Sequence, residues 1–370
     1  MFESFKIFVT HILMLFIICS TTLDAQILKD TTSVMLIKKN IDYIYNFQFK
    51  DAEETCYKIG ILFPGHPVDF LLKGMIIYWE NFPLLSNSPS STIFENDLRK
   101  CIEICEKKPD SIDEPEYLLN NLCARGMLLL FYTDNNKSME AIPLVLSTYH
   151  FIRRSFDFTS VYSDFYYFTG IYNYYRKVYP EVYPIYKPLA ALIPKGDKEK
   201  GIMELQKAAG SSIVLKAESL IFLSEIYRRF EGDYQKATYY NKILYELYPA
   251  NMEYREEYIK NLLLIKHFDE AERLINSSDM IKNNIFFKAQ LTIFSGIIEE
   301  KKYHNFKQAQ ESYLRGIKDI TPFGKYSNEF VAYAYFGLSR ISEVNGDKNN
   351  KKQYRKMANE LADFKKINFD

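Results

Sequence analysis

Histidine, cysteine and paired carboxylates most often carry proton transfer, metal binding or nucleophilic attack, and this chain holds five histidines and five cysteines. None of His11, His66, His150, His267 and His304 has a Glu or His at the helical spacing of a zinc-hydrolase motif. His150, in "STYHFIRRSF", lies on a strongly apolar helix and reads as a hydrogen-bonded core residue. Cys101 and Cys105 stand i,i+4 on one helix face, a spacing that superficially suits a metal. No histidine neighbours them in sequence, and structural zinc takes four N or S ligands. With Cys56 and Cys123 they read as buried free thiols rather than a disulfide framework. Glu256–Glu257 and Glu299–Glu300 are adjacent along the chain, so their side chains leave a helix in different directions and suit a solvated face. Nucleophile elbows, phosphate-cradling glycine loops and dinucleotide fingerprints are absent from the sequence. The reading is of a protein that is not an enzyme and has no catalytic, cofactor or metal residues.

Bulk composition narrows the partners. Lys plus Arg equals Asp plus Glu at 47 each, so no basic stripe exists to displace counterions from phosphates, and nucleic acid is not expected. Thirty Tyr and 28 Phe accompany a single Trp. Spread over most helices, they read as core filling under AT-rich codon usage; an aromatic binding surface is the alternative. The opening "MFESFKIFVTHILMLFIICSTTLDAQ" carries an apolar run from Ile12 to Cys19, too short to span a bilayer and suited to a secretory signal. Cleavage is expected after Ala25, giving a signal at 1–25 and a mature chain at 26–370, although His11, Glu3 and Leu23 are imperfect for such a signal. Lipid attachment at Cys19 ranks second because Ile18 stands where a small residue is wanted; an uncleaved anchor ranks third. No later segment approaches twenty uncharged apolar residues, so the mature chain is not expected to span a membrane. The expected destination is the periplasm or the outer-membrane surface.

Amphipathic periodicity runs from end to end with no strand alternation, which predicts an all-α chain. Eight helix pairs are expected: 33–46 with 49–62, 67–80 with 92–107, 115–132 with 138–155, 160–178 with 197–209, 214–230 with 233–247, 251–265 with 268–278, 284–300 with 304–319, and 327–344 with 349–366. Small residues recur at a near-constant interval. Ala237 and Ala271 are 34 apart, Ala309 follows after 38, Gly201 precedes Ala237 by 36, and Asn40 and Gly74 are again 34 apart. On one register also fall Leu36, Tyr43, Ala52, Cys56, Ile59 and Pro64, then Ala237, Leu244 and Pro249.

This pattern resembles the tetratricopeptide repeat family, which places a small residue, an apolar residue and a proline on each second helix. The resemblance implies a right-handed α-solenoid of antiparallel pairs in which small residues let helices close and proline ends the second helix. The repeat beginning at Ala271 lacks its proline, and the Tyr227–Ala237 interval is one residue too long. A narrower resemblance over about 160–260, "FTGIYNYY" with "GDKEKGIMELQKAAG", is to a eukaryotic subgroup associated with mitochondrial outer membranes or lipid droplets. It supports the fold and implies no defined reaction.

Two segments interrupt the array. Residues 81–92, "NFPLLSNSPSST", form a polar loop with Thr92 or Ser91 expected to cap the next helix. Residues 178–200 insert a Pro- and Tyr-rich loop, either a protruding arm or, with the better support of "PLAALIP", an apolar strap folded back. Residues 348–370 read as a polar capping helix. The groove of first helices is the remaining candidate site. The Lys, Asn and Arg clamp by which some family members hold a carboxylate is missing at Val34, Ile37 and Ile41, and at Glu253, Glu256 and Lys260. Tyr43, Tyr166, Tyr172, Tyr227 and Tyr258 are the rings expected to be exposed there. The function expected is a scaffold of the cell envelope that binds a protein or peptide segment in its concave groove. The alternative is a receptor for a peptide or glycan fragment, using the groove and the 178–200 loop.

Overall fold

A computed structural model describes residues 27–28, 30–107, 114–277, 284–364 and 366–370, so the expected signal at 1–25 lies outside the described residues. Among these every element is helical. The chain runs through α1 (Thr31–Tyr45), α2 (Phe49–Leu62), α3 (Pro67–Glu80), α4 (Pro89–Glu106), α5 (Glu114–Asp134), α6 (Ser138–Ser155), α7 (Phe165–Val182) and the short α8 (Lys187–Ala191). It continues through α9 (Lys198–Ser211), α10 (Lys216–Glu225), α11 (Tyr234–Leu247), α12 (Met252–Leu264), α13 (Phe268–Asn276) and α14 (Ile285–Lys301). Last come α15 (Phe306–Ile320), α16 (Asn328–Val344) and α17 (Lys348–Leu361). Neighbouring helices pack in pairs, with α7 pairing with α9 across the insertion, in the order that the periodicity predicts. No helix among the described residues is long and apolar enough to cross a membrane.

One turn is used again and again. A left-handed residue stands two positions before the second helix at Phe47, Asn136, Gly232, Lys266, His304 and Gly346. In the turns at Phe47, Gly232, Lys266 and His304 a small residue stands four positions beyond the intervening one, and its amide makes the first helical bond: Ala52 to Gln48 O at 3.0 Å, Ala237 to Asp233 O at 3.1 Å, Ala271 to His267 O at 3.1 Å and Ala309 to Asn305 O at 2.9 Å, while Gly201 bonds Asp197 O (2.9 Å) after a connection without the left-handed residue. Ala52, Ala237, Ala271 and Ala309 are fully buried, so the first helix closes on each without obstruction. It then reaches the carbonyl there: Asn40 Nδ2 donates to Ala52 O (2.6 Å), and Ser224 Oγ to Ala237 O (3.0 Å). The second span is one residue longer than the first, and a π-helical turn at Ile226–Glu231 absorbs the surplus. That turn accommodates the overlong Tyr227–Ala237 interval without shifting the register.

The other packing residues divide by role. Cys56, Ile59, Gly74 and Leu244 are buried, Leu36 is half-buried, and Pro64 and Pro249 follow their second helices on the surface. Cys56, Cys101, Cys105 and Cys123 are buried free thiols. Four expectations need correction. Ser88, not Ser91 or Thr92, caps α4, because Pro89 extends the helix one turn earlier by supplying a ready-made first position. The 178–200 insertion is partly helical, α7 continuing through Pro180 to Val182 before α8. α17 stops at Leu361, and the tail turns back to bury Ile367 and Phe369 while Arg340 Nη1 donates to Asn368 O (2.6 Å). His150 is exposed, because α6 turns that face away from α5.

α7 and α9 cross with their backbones in close approach. A methyl on Gly201 would stand 2.6 Å from the Tyr174 amide nitrogen and 2.8 Å from the Gly170 carbonyl oxygen, both backbone atoms that cannot step aside. Gly210, in the same helix, meets nothing within 4 Å. Gly201→Ala should destabilise by about 1–3 kcal/mol through overpacking, whereas Gly210→Ala should be neutral or stabilise by up to ~1 kcal/mol. Urea midpoints of the two variants check the contrast.

Candidate functional site

First helices line the inner side of a repeat array, so the inner face is where a groove would lie. Here that face is occupied by the chain itself. The carboxyl ends of α1, α3 and α5 meet the amino ends of α10, α12, α14 and α16. Tyr45, ending α1, donates its hydroxyl to Glu218 on α10, and its ring lies 5.9 Å from that of Tyr254 on α12. Trp79, on α3, stands edge-on to Tyr254 at 5.5 Å. Phe82 stacks on Phe287 of α14 at 5.9 Å and meets Tyr326 at 5.8 Å. Hydrogen bonds from the later half also reach main-chain carbonyls near the ends of the early helices: Lys325 Nζ donates to Thr133 O (2.8 Å), Tyr326 to Leu84 O (3.2 Å) and Asn284 Nδ2 to Phe82 O (3.4 Å).

Beside these rings lies a buried ionic cluster. The Arg228 side chain, wholly inaccessible, pairs with Glu225 and Glu257. Lys260 Nζ is 2.6 Å from Glu257, 3.5 Å from Glu256 and 3.7 Å from Glu329. Arg229 lies 2.6 Å from Glu225 and 3.4 Å from Glu329. Carboxylate oxygens of Glu253, Glu256 and Glu257 fall within 4.8 Å of one another, a distance that would suit a metal. The Lys260 ammonium already sits against two of the three. Burial, reinforced by the charge of Glu257, pushes Glu253 up to about 8, and burial pushes Glu256 well above the carboxylate range. Burial also acts on Glu257 and Glu329, but the neighbouring cations overturn it, holding Glu257 low beside Arg228 and Lys260 and Glu329 at about 2 beside Lys260 and Arg229. Three cations, Arg228, Arg229 and Lys260, face Glu225, Glu257 and Glu329, and the two carboxyls that burial holds high, Glu253 and Glu256, add little charge for them to balance.

The adjacent glutamate pairs, expected on a solvated face, each have one member buried. Glu256 is buried in the cluster just described. Glu300 is buried against Arg340 (Nε at 2.6 Å, Nη2 at 2.9 Å) and accepts from the Tyr313 hydroxyl at 2.7 Å. The reason is packing: α12 and α14 are covered by neighbours on several sides, so few outward faces remain for charge.

The five candidate rings are not brought together. Tyr172, Tyr227 and Tyr258 are buried, correcting the expected exposure, while Tyr43 and Tyr166 are half-buried. Each faces an adjacent helix or loop rather than a shared groove. Tyr258 donates to Glu270 on α13 (2.8 Å) and stacks on Tyr245 at 5.5 Å, Tyr227 stacks on Tyr240 at 5.7 Å, and Tyr172 donates to Pro194 O (2.7 Å). Lys39 and Lys207 cover Tyr43 and Tyr166. The rings that do converge, Tyr45, Trp79, Phe82, Tyr248 and Tyr254, sit at or near helix ends, where a one-dimensional period carries no signal about cross-array contact.

The insertion is tied down and also exposed. Arg176 donates to the carbonyls of Ala190 and, at 3.0 Å, Ile193, while Ile185 and Leu192 are 82% and 81% exposed. On α6 the side chains of Met139, Ile142, Val145 and Leu146 are likewise exposed. Strap and arm, the two readings of the insertion, each describe part of it. No protein-family model and no curated protein matches this chain.

Three carboxyls at the closed face are held protonated by burial, Glu253 up to about 8 and Glu218 and Asp134 up to about 7. Their folded values lie above the unfolded ones, so the unfolded chain loses these protons first as pH rises, and stability falls through that window. Glu329, held down to about 2, works the other way and loses its contribution as pH drops below the ordinary carboxylate value. The thermal midpoint should therefore peak near about pH 5 and decline toward about pH 8, with the decline shallower in Glu253→Gln. Midpoints that rise over this range would contradict the assignment.

Proposed function

We propose that this chain is a non-enzymatic interaction scaffold of the cell envelope, a right-handed tetratricopeptide-like solenoid exported under its N-terminal signal. It engages a protein or peptide segment on its outer surface, because the inner groove is filled by its own side chains. The supporting observation is the contrast between that filled face and the bare apolar side chains of α6. Met139, Ile142, Val145 and Leu146 recur at helical spacing, with Leu130 of α5 also exposed. At the far end of the stripe the Tyr149 ring meets Tyr172 at 6.3 Å, and Tyr172 holds the return leg of the 178–200 arm. The α6 stripe and the arm thus share a corner. Large unpolarised side chains held on a rigid helix lose little entropy when covered, which suits them as anchors for a partner. The receptor alternative, for a peptide or glycan fragment, draws on the exposed Ile185 and Leu192 of the same arm.

Crosslinking in intact cells followed by quantitative recovery of the partner tests this reading. A Met139→Glu, Leu146→Glu chain should retain its helical circular dichroism and lose partner recovery by about tenfold or more, as expected when an anchor worth ~2 kcal/mol is removed. Tyr57→Glu, on the exposed face of α2, should leave recovery unchanged. Equal recovery from all three chains, or no partner from any, would overturn it. The export component predicts that the chain from the envelope fraction begins at Gln26.

A further inference from the structure

The cleft between α1, α3 and α5 contains a buried carboxylate with an unusual load. Glu116, in the first turn of α5, is 2% exposed. Its Oε2 accepts from the amide of Ile27 at 3.0 Å and its Oε1 from the amide of Leu28 at 2.7 Å. Tyr162 donates to Oε1 at 3.5 Å, and His66 Nε2 lies 3.7 Å from Oε2. His66 Nδ1 accepts from the Val68 amide (3.2 Å), which leaves the ring proton on Nε2, facing the carboxylate. The Ile27 side chain is buried among Ile37, Ile41, Leu71, Leu72 and Leu119, and the space left beside it is about 20 Å³, enough for one water.

We infer that this cleft is a peptide-binding site, and that Ile27 and Leu28 are its occupant in cis. A carboxylate that takes two consecutive main-chain amides, one on each oxygen, recognises an extended backbone whatever its side chains, and charge assistance makes both bonds strong. The aliphatic pocket beside it supplies selectivity for a branched residue at the first of the two positions. Burying a glutamate at an apolar joint is expensive, and an apolar residue would pack α5 against α1 and α3 without that cost. What the carboxylate adds is a grip on a segment that would otherwise fray. The ligand class is therefore an extended peptide with Ile, or a residue of similar shape, followed by a residue with a free amide. A partner segment of this chemistry competes with residues 27–28 for the cleft. This last step rests on the scaffold reading above, whereas the site and its cis occupant stand without it.

The test uses the full chain carrying Ile27→Ser and a synthetic peptide of the sequence QILKDT. The substitution should lower the thermal midpoint, and the peptide should restore it saturably. The peptide with serine in place of isoleucine should not, and adding Glu116→Gln to the chain should weaken peptide binding at least tenfold. No saturable shift, equal shifts from both peptides, or indifference to Glu116→Gln would overturn the inference. Should the Ile27→Ser chain fail to fold, hydrogen exchange on the unaltered chain decides: slow exchange of the Ile27 and Leu28 amides, lost selectively in Glu116→Gln, supports the site, and fast exchange in the unaltered chain overturns it. Loss of peptide binding alongside intact partner capture through α6 removes this site and leaves the scaffold standing.

Discussion

A carboxyl group withdrawn from water needs a proton, a cation or several donors beside it, and that requirement organises the inside of this molecule. Asp164 meets it with three consecutive amides, those of Ile213, Val214 and Leu215, and so fixes the joint between the α7–α9 and α10–α11 pairs. Glu300 meets it with Arg340 and Tyr313. Glu116 meets it with the amides of a segment arriving from outside the array. Glu253 and Glu256 meet it by keeping their protons, which lets Arg228, Arg229 and Lys260 balance the remaining acids. Removing any one cation would strand a buried charge, which is far costlier than losing a surface pair. The closed inner face is consequently a fixed structure rather than a vacant groove.

Much of the fold was legible in the sequence, and the reason is local. The small residues Ala52, Ala237, Ala271 and Ala309 mark one position of one turn, and a turn is specified by a few consecutive residues. Even the misfit at Tyr227–Ala237 carried information, since the extra residue appears as the π turn beneath Ser224. Boundaries failed where a proline changed the geometry, at Ser88–Pro89 and at Pro180 within α7. The inner face was not legible. Tyr45 meets Glu218, and Phe82 meets Phe287, across about half of the chain, and nothing in a repeat of nearest neighbours reports how far the row curls. The burial of Glu256 is invisible in the sequence for the same reason: the covering of α12 depends on helices far away in sequence.

For function, the closure moves attention outward. An open array offers its curved face, but here rings and ion pairs fill it, and the surfaces with unmatched character include the α6 stripe, the 178–200 arm and the cleft that Ile27 fills. These differ in kind. The stripe offers side chains to be covered, and the cleft offers a carboxylate to be hydrogen-bonded by backbone. A scaffold with both would grip an extended segment by its main chain and a folded surface by its apolar side chains.

The central claim is that the two halves of the array meet through their inner faces. A double-mutant cycle between Trp79→Leu and Tyr254→Leu, followed by urea unfolding, tests it most directly, because the two rings are far apart in sequence and edge-on in space. A closed array predicts a coupling of about 0.5–1.5 kcal/mol for such an aromatic pair. Effects that add to within ~0.3 kcal/mol would mean that the rings do not meet.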